Sequence, residues 1–571
     1  MKTRYIVPLL LFCLFACMAC EDDKTEMPRL FRPSFIASSC FAEDNTITLA
    51  WRTSGEATSY TVELSQDATF QSEKLETQTV EHGKCTFTNL RYETKFYARV
   101  RANNESLAIT SNWTEMGSSI STLSRTIPKI LYAVEGSRIS ETSVEIKWVV
   151  SEKNPVDGLA IWEEGTTEER QISLENASAG QYTITGLTPR TTYYVALTNS
   201  AAPEGAEKYN QQRFTTAGMP ADAVVVEDGV DLMDKIKAGM TDASKQALVF
   251  QLKNGVDYYL TAGGEVAAKT GDIKLTKSIA LLANPGERPT LYIREGCFNV
   301  KPESGNMPDI EYFVVDNVNI KETWTDSKPS KGSKTRLLNI GKHDAGTDFT
   351  IDRFEITNSD IVLPSAVLMM SDASEGVTTI NHIRIDNCLV SGINTSAVTK
   401  QFGFIHAINK GSNVWNDVSV TNSTFYEFYI SPGVFGAPTA NVPIAAGNKV
   451  VISNCTFYNW GSNKDGKNTY RAVGNFSKLT APLNLSVNNC VFGSSESKVL
   501  DAGGINLSSK GNYCTSDFEK MSDAGLTLIS LDTDDASLFR NIEENDFTVI
   551  DAESVIYKSE YGDPRWITVL D

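Results

Sequence analysis

FVVDNVNI, residues 313–320, decides how this chain folds, because it recurs. FEITNSDI (354–361), IRIDNCLV (383–390), VSVTNSTF (418–425), VVISNCTF (450–457) and LSVNNCVF (485–492) share its plan. Each places apolar residues four and two positions before an Asn and another three positions after it. The residues are Asn317, Asn358, Asn387, Asn422, Asn454 and Asn489, spaced 41, 29, 35, 32 and 35 apart. A weaker match, ALLANPGE, puts Asn284 a further 33 residues upstream of Asn317.

An apolar–x–apolar step is the signature of a half-buried strand. A self-similar unit recurring every 20 to 50 residues signals a solenoid. Strand, polar turn and further strand, with loops of variable length, predict a parallel β-helix. Asn suits the turn because it tolerates a tight bend and can hydrogen-bond backbone groups of the neighbouring coil. Stacked, the six would form an internal ladder. The residue after each Asn is small or apolar (Val318, Ser359, Cys388, Ser423, Cys455, Cys490), which predicts a narrow inward-facing row.

The start of the chain reads as targeting sequence. Lys2 and Arg4 precede an apolar run, Ile6 to Leu14, and then LFACMACEDD. This resembles a bacterial lipoprotein signal, with Cys20 (or Cys17) as the acylated residue. The following Glu21-Asp22-Asp23 resembles the surface-export signal of Bacteroidetes lipoproteins. Residues 1–20 would be the signal peptide and 21–32 a linker. No later apolar run approaches the roughly 18 residues that span a bilayer. The resemblance implies a lipid-anchored outer-membrane protein at the cell surface.

Residues 33–125 and 126–217 read as two all-β modules. Alternation is visible in TITLAW (46–51) and FYARVRA (96–102), then in SVEIKW (143–148) and YYVALT (193–198). Trp51 and Trp148 close the second strand of their modules and read as core. LTPRTTYYVAL resembles the fibronectin type III pattern, with Leu187, Pro189, Thr191 and Tyr193 at the marked positions. Tyr193 would be the corner tyrosine that bonds back to the backbone. The first module keeps Leu90 and Thr94 but has Tyr92 and Phe96 in place of Pro and Tyr. The modules are expected to act as spacers lifting the C-terminal body from the membrane.

Residues 218–571 form the β-helix. Leu232, Met233, Ile236 and Met240 make a helical stripe before the first coil, as a cap over an open sheet edge would. The cap helix, the strand–Lys-Asn-Gly–strand entry, the Asn-marked coils and the closing GDPRW (562–566) resemble pectate-lyase-like right-handed β-helix proteins of Bacteroidetes. The fold class expected is therefore all-β: two fibronectin type III-like sandwiches, then a right-handed parallel β-helix with an N-terminal cap helix. The resemblance implies a polysaccharide as partner, pectin among the candidates, and glycan importer components as neighbours.

A formal charge of −19 argues against nucleic acid, whose binding needs clustered cations. His82, His343, His382 and His406 show no metal-ligand spacing, and no metal site is expected. Cys40 and Cys85 share one module and could bridge, which the sequence leaves open. A lyase would need a base and acidic residues holding Ca²⁺ against a uronate carboxylate. Asp316 and Asp386, each just before a ladder Asn, and Arg384 are the candidates, with no cofactor unless Ca²⁺ serves a lyase. A glycosidase would need two carboxylates roughly 5 to 10 Å apart. Binding asks less: aromatic rings for the apolar faces of sugars and polar groups for orientation. Trp324, Trp415, Tyr429 and Trp460 are the expected platform. The function read from these features is non-catalytic capture of a polysaccharide. A polysaccharide lyase or glycoside hydrolase acting on a uronate-containing glycan, and an adhesin, are the alternatives.

Overall fold

The computed structural model describes residues 29–570 except 261–270, 295, 323–335, 364–366, 373–374, 394–402, 408–411, 430–432, 437–448, 461–469, 477–482, 496, 502–504 and 519–525. The signal segment with Cys17 and Cys20, and Trp324, lie outside the described residues. Two compact units result: residues up to 126 with 199–208, and 127–198 with 209–571. The expected all-β architecture is observed.

The first unit contains an antiparallel β-sandwich. One sheet pairs Thr46–Arg52 with Ser34–Phe35, Phe41–Glu43 and Lys84–Phe87, and the other is built around Ser59–Ser65 and Lys95–Asn104. In KFYARVRANN alternate residues Phe96, Ala98, Val100 and Ala102 are buried, as a period of two requires. Trp51 and Phe96 are core residues. Cys40 and Cys85 carry free thiols, and burial first, then the neighbouring Cys40, pushes the Cys85 thiol up to about 12.

The second unit opens with the second sandwich. Ser143–Lys147 pairs with Gln181–Thr185, and Glu169–Ser173, Gly158–Glu163, Thr192–Thr198 and Lys208–Thr215 form the facing sheet. The Tyr193 hydroxyl accepts from the Thr188 backbone N–H at 3.0 Å and donates to Glu163 Oε1 at 3.1 Å. That is the corner expected of this tyrosine.

Three parallel sheets follow. Among the described residues, sheet A has ten strands from Val224–Val226 to Ile505–Lys510, and sheet B ten from Asp257–Tyr259 to Ile529–Ser530. Sheet C has eight, from Gly271–Lys274 to Lys498–Asp501. Between Ala247 and Asp501 each coil gives one strand to each sheet, in the order A, B, C. The helix Leu232–Thr241 precedes the first full coil, with the Asp231 side chain accepting from Asp234 N–H as N-cap. Its Gly239 lies where a Cβ would meet Leu248 Cδ2 at 2.6 Å, so the helix sits flush on the sheet. Among the described residues the interior is mostly apolar, with a few hydrogen-bonded polar side chains such as Ser371 and Asn413. Phe425, Phe457 and Phe492 stack on successive coils with centroids 5.1 and 5.2 Å apart.

The repeated Asn stands between sheets A and B. All six have φ between 50° and 57°, a left-handed conformation that Asn adopts more readily than most residues. Each Asn N–H donates to the carbonyl just before the turn of the next coil: Thr357, Asp386, Thr421, Ser453, Asn488 and Lys510, at 2.8–3.1 Å. The side chains bond in the opposite direction. Asn317 Nδ2 donates to the Asn284 carbonyl, whereas Asn358, Asn387 and Asn422 donate to side-chain oxygens of Asp316, Asn358 and Asp386, each at 2.8 Å. Of these four, Asn317 bonds backbone as the sequence reading had it, and the other three bond side chains. The following residues, Val318 through Cys490, are fully buried.

Candidate functional site

The three catalytic candidates fall together on the turn face, where the second sandwich packs against the coils. Asp316 and Asp386 precede left-handed Asn residues on coils that carry a Thr-Asn turn above them. Asp316 Oδ1 accepts from Thr357 Oγ1 at 2.6 Å and Asn358 Nδ2 at 2.8 Å. Asp386 Oδ1 accepts from Thr421 Oγ1 at 2.7 Å and Asn422 Nδ2 at 2.8 Å. The two sites are the same device two coils apart: an Asp-Asn turn caps the donors of the Thr-Asn turn that follows.

Asp386 has a further load. Its Oδ2 faces Arg384 Nη2 at 2.9 Å and Arg213 Nη2 at 2.9 Å, Arg213 coming from the last strand of the sandwich. Glu164 takes Arg213 Nε at 2.8 Å and lies 3.4 Å from Arg384 Nη2. Burial would raise the Asp386 carboxyl. Arg213, then Arg384, with Thr421 and Asn422, outweigh burial and hold it below the ordinary carboxylate value. Burial likewise opposes the Arg213 charge, and Asp386 and Glu164 reverse that effect. Asp386 is thus an ionised, fully hydrogen-bonded anchor with no lone pair left for a substrate proton. This corrects its candidacy as a carboxylate that holds Ca²⁺. Asp316 lies two rungs away, about 10 Å, so the two carboxylates do not share one cation. Among the described residues no group of three or more His, Cys, Asp or Glu is placed to hold a metal ion. Asp316 and Asp386 therefore do not together form a Ca²⁺ site. The second module is accordingly not a free spacer: Arg213 fixes it to the turn column.

Beside this anchor lies a cleft of about 450 Å³. Arg190 and Arg213 line one wall, Arg288 and Arg384 the other, and Asn317, Asn358 and Asn387 the floor. Arg288 is paired with Asp360 at 2.7 Å. The cleft presents mainly polar groups, guanidinium and amide together with the carboxylates of Asp316 and Glu355, a surface suited to a polyhydroxylated ligand.

Trp415, Tyr429 and Trp460 do not form the expected aromatic platform. Trp460 is fully buried, its Nε1 donating to the Lys498 carbonyl at 2.9 Å and its ring packed against Phe492 and Phe518. Trp415 faces inward beside Ile380 and is 9% exposed. Tyr429 is half-buried and its hydroxyl accepts from Asn459 Nδ2 at 3.0 Å. The apolar interior of the coils claims the two Trp rings. The pair of stacked rings on adjacent coils is elsewhere: Tyr259 and Tyr292, on the outer face of sheet B, 4.8 Å apart at 10°. Their place outside was readable from the alternation of VDYYL and TLYI, in which Tyr258 and Leu291 take the inward positions.

The closing GDPRW acts within the fold. Gly562 N–H donates to the Asn489 carbonyl, Asp563 N–H to Thr456 Oγ1 and Trp566 Nε1 to Thr424 Oγ1. Arg565 Nη2 donates to Asn387 Oδ1 at 3.0 Å. One pentapeptide therefore ties four coils together.

Residues 33–115 match the fibronectin type III domain family. Residues 450–566, which include the GDPRW segment, match a family described as a domain of unknown function (DUF5123). No curated protein matches the chain. Among solved structures, the FN1–FN3 domains of chicken CNTN1 are similar to it at 14% identity, over 34% of this chain and 68% of that one, with a TM-score of 0.15.

Proposed function

We propose that the chain is a polysaccharide-binding protein of the bacterial cell surface, held in the outer membrane by lipid on Cys20 (or Cys17). It would capture glycan for neighbouring importer components without cleaving it. The observation that supports this reading is the polar cleft of about 450 Å³ between the second sandwich and the asparagine turns. Its walls are fixed by a buried ion-pair network, so little ordering is needed on binding. Its lining offers many donors and acceptors. The fibronectin type III match at 33–115 fits a surface or binding module.

Affinity electrophoresis over a polysaccharide panel that includes pectins tests the reading. Retardation by at least one glycan is expected, weakened in Arg190→Ala, whose side chain is exposed on the cleft wall. Unchanged migration with every glycan would remove the capture role. Unsaturated, ultraviolet-absorbing product from pectin and Ca²⁺ would replace capture with a lyase activity.

A further inference from the structure

The ion pairs that fix the second sandwich to the coils also close one end of the cleft. Arg213 and Arg384 line the cleft and are held by Asp386 and Glu164. The Arg213 and Asp386 side chains are 17% and 2% exposed, so no chain passes between them. Backbone closes the opposite end. Gly218 N–H donates to Asn284 Oδ1 at 2.8 Å, and a Cβ built on Gly136 would lie 2.5 Å from Gly286 N. Gly136, Gly218, Asn284 and Gly286 all line the cleft. A turn of the sandwich and the segment after its last strand therefore rest directly on a coil turn.

Between these two crossings the turns climb from Asn284 to Asn387, three rungs or about 14 Å at the spacing of paired strands. A volume of about 450 Å³ lies toward the lower end of the range for small-ligand sites. Lengthening the cleft would break a buried ion pair at one end or part the Gly136 and Gly286 backbones at the other. We infer that the cleft is a closed-ended socket for about two or three sugar rings, either a short saccharide or the terminus of a chain. This rests on the glycan-binding reading above and names the part of the glycan that is recognised. The remainder of a longer chain turns out into solvent. Sugars beyond the socket add no affinity, because only contacts made in the complex offset the cost of association.

Calorimetry tests the inference with fragments of one to eight residues, cut from linear xylan, mannan and galactan and from any polysaccharide that retards the protein in the gel. For the series that binds, affinity should rise from one residue to about three and change less than about twofold from three to eight. Size-fractionated linear polymer should bind a single protein per chain at every length. Arg190→Ala, whose side chain is exposed on the cleft wall, should weaken the trimer and the polymer by the same factor, with an unchanged far-ultraviolet circular dichroism spectrum. Affinity that keeps climbing to six residues or more, or protein bound in proportion to chain length, overturns the socket and leaves a glycan site of another shape. So does a retarding polysaccharide whose fragments all fail to bind, or wild-type affinity in Arg190→Ala. Failure of every fragment, together with failure of every polysaccharide in the gel, sinks the glycan reading itself.

Discussion

Arg213 Nη2 and Asp386 Oδ2 meet at 2.9 Å, with side chains 17% and 2% exposed, where the last strand of the second sandwich crosses the asparagine turns. A carboxylate so buried is stable only while its charge is matched. Asp386→Ala leaves Arg213 and Arg384 with Glu164 as their common partner. The expected loss is about 3 kcal/mol, read as a lower denaturant midpoint. Arg213→Ala should cost a similar amount, and the double variant less than the sum, because each single variant strands the other charge. Strict additivity would show that the pair does not hold the module to the coils.

The same carboxyl sets an acid limit. Its folded pKa lies below its ordinary value of 3.8, so the stability it contributes is present above that value and is lost as pH falls through the folded pKa. Between pH 5 and 3 the wild-type melting temperature should fall more steeply than that of Asp386→Asn. Parallel slopes would place the acid sensitivity in other groups.

Ladder asparagines answer to a conformational test. Asn387 has φ 54°, donates from Nδ2 to Asn358 Oδ1 and accepts from Arg565. Asn387→Ala loses these contacts and puts a Cβ-bearing residue without a local side-chain bond in the left-handed region, at about 1–2 kcal/mol for the backbone alone. Asn387→Gly loses the same contacts but not the backbone freedom. The Gly variant should therefore be the more stable of the two in urea. The reverse order would mean that the turn is not held in the left-handed region.

Trp460 separates packing from recognition. It is fully buried and donates to the Lys498 carbonyl. Trp460→Ala should cost about 3–5 kcal/mol, whereas Trp460→Phe should cost less and leave any glycan affinity of the folded protein unchanged. A folded Trp460→Phe variant with lost affinity would restore the ring to a binding role.

These variants mark how far the residues alone lead. The period-two strands and the repeated Asn were legible because stacking imposes one register on every coil. The corner role of Tyr193 and the cap helix were legible from local chemistry. The capping of Thr357 by Asp316, and of Thr421 by Asp386, was present in the alternation DN, TN, DN, TN but needed the stacking order to acquire meaning. Trp415 and Trp460 misled because a large ring near a loop reads alike whether it faces sugar or core. The place of Arg213 was not legible: it depends on how the second sandwich docks, which no local pattern encodes.

The last expectation concerns Asp535, near the C-terminus, which is 1% exposed. Burial pushes its carboxyl up to about 6, with Asp517 and Asp534 adding to the effect and the hydrogen bond from the Ser494 N–H opposing it. A raised carboxyl pKa makes the folded state bind its proton more tightly than the unfolded chain does. Its contribution is therefore most favourable at low pH and is lost as pH rises through about 6. Asp535→Asn keeps an oxygen to accept the Ser494 N–H, which now reaches Oδ2 at 2.8 Å, and carries no titrating proton. Relative to wild type, the variant should gain stability between pH 5 and 7.5, measured as the difference in melting temperature at each pH. A difference that stays constant over that range would show that Asp535 is already ionised in the folded protein at pH 5.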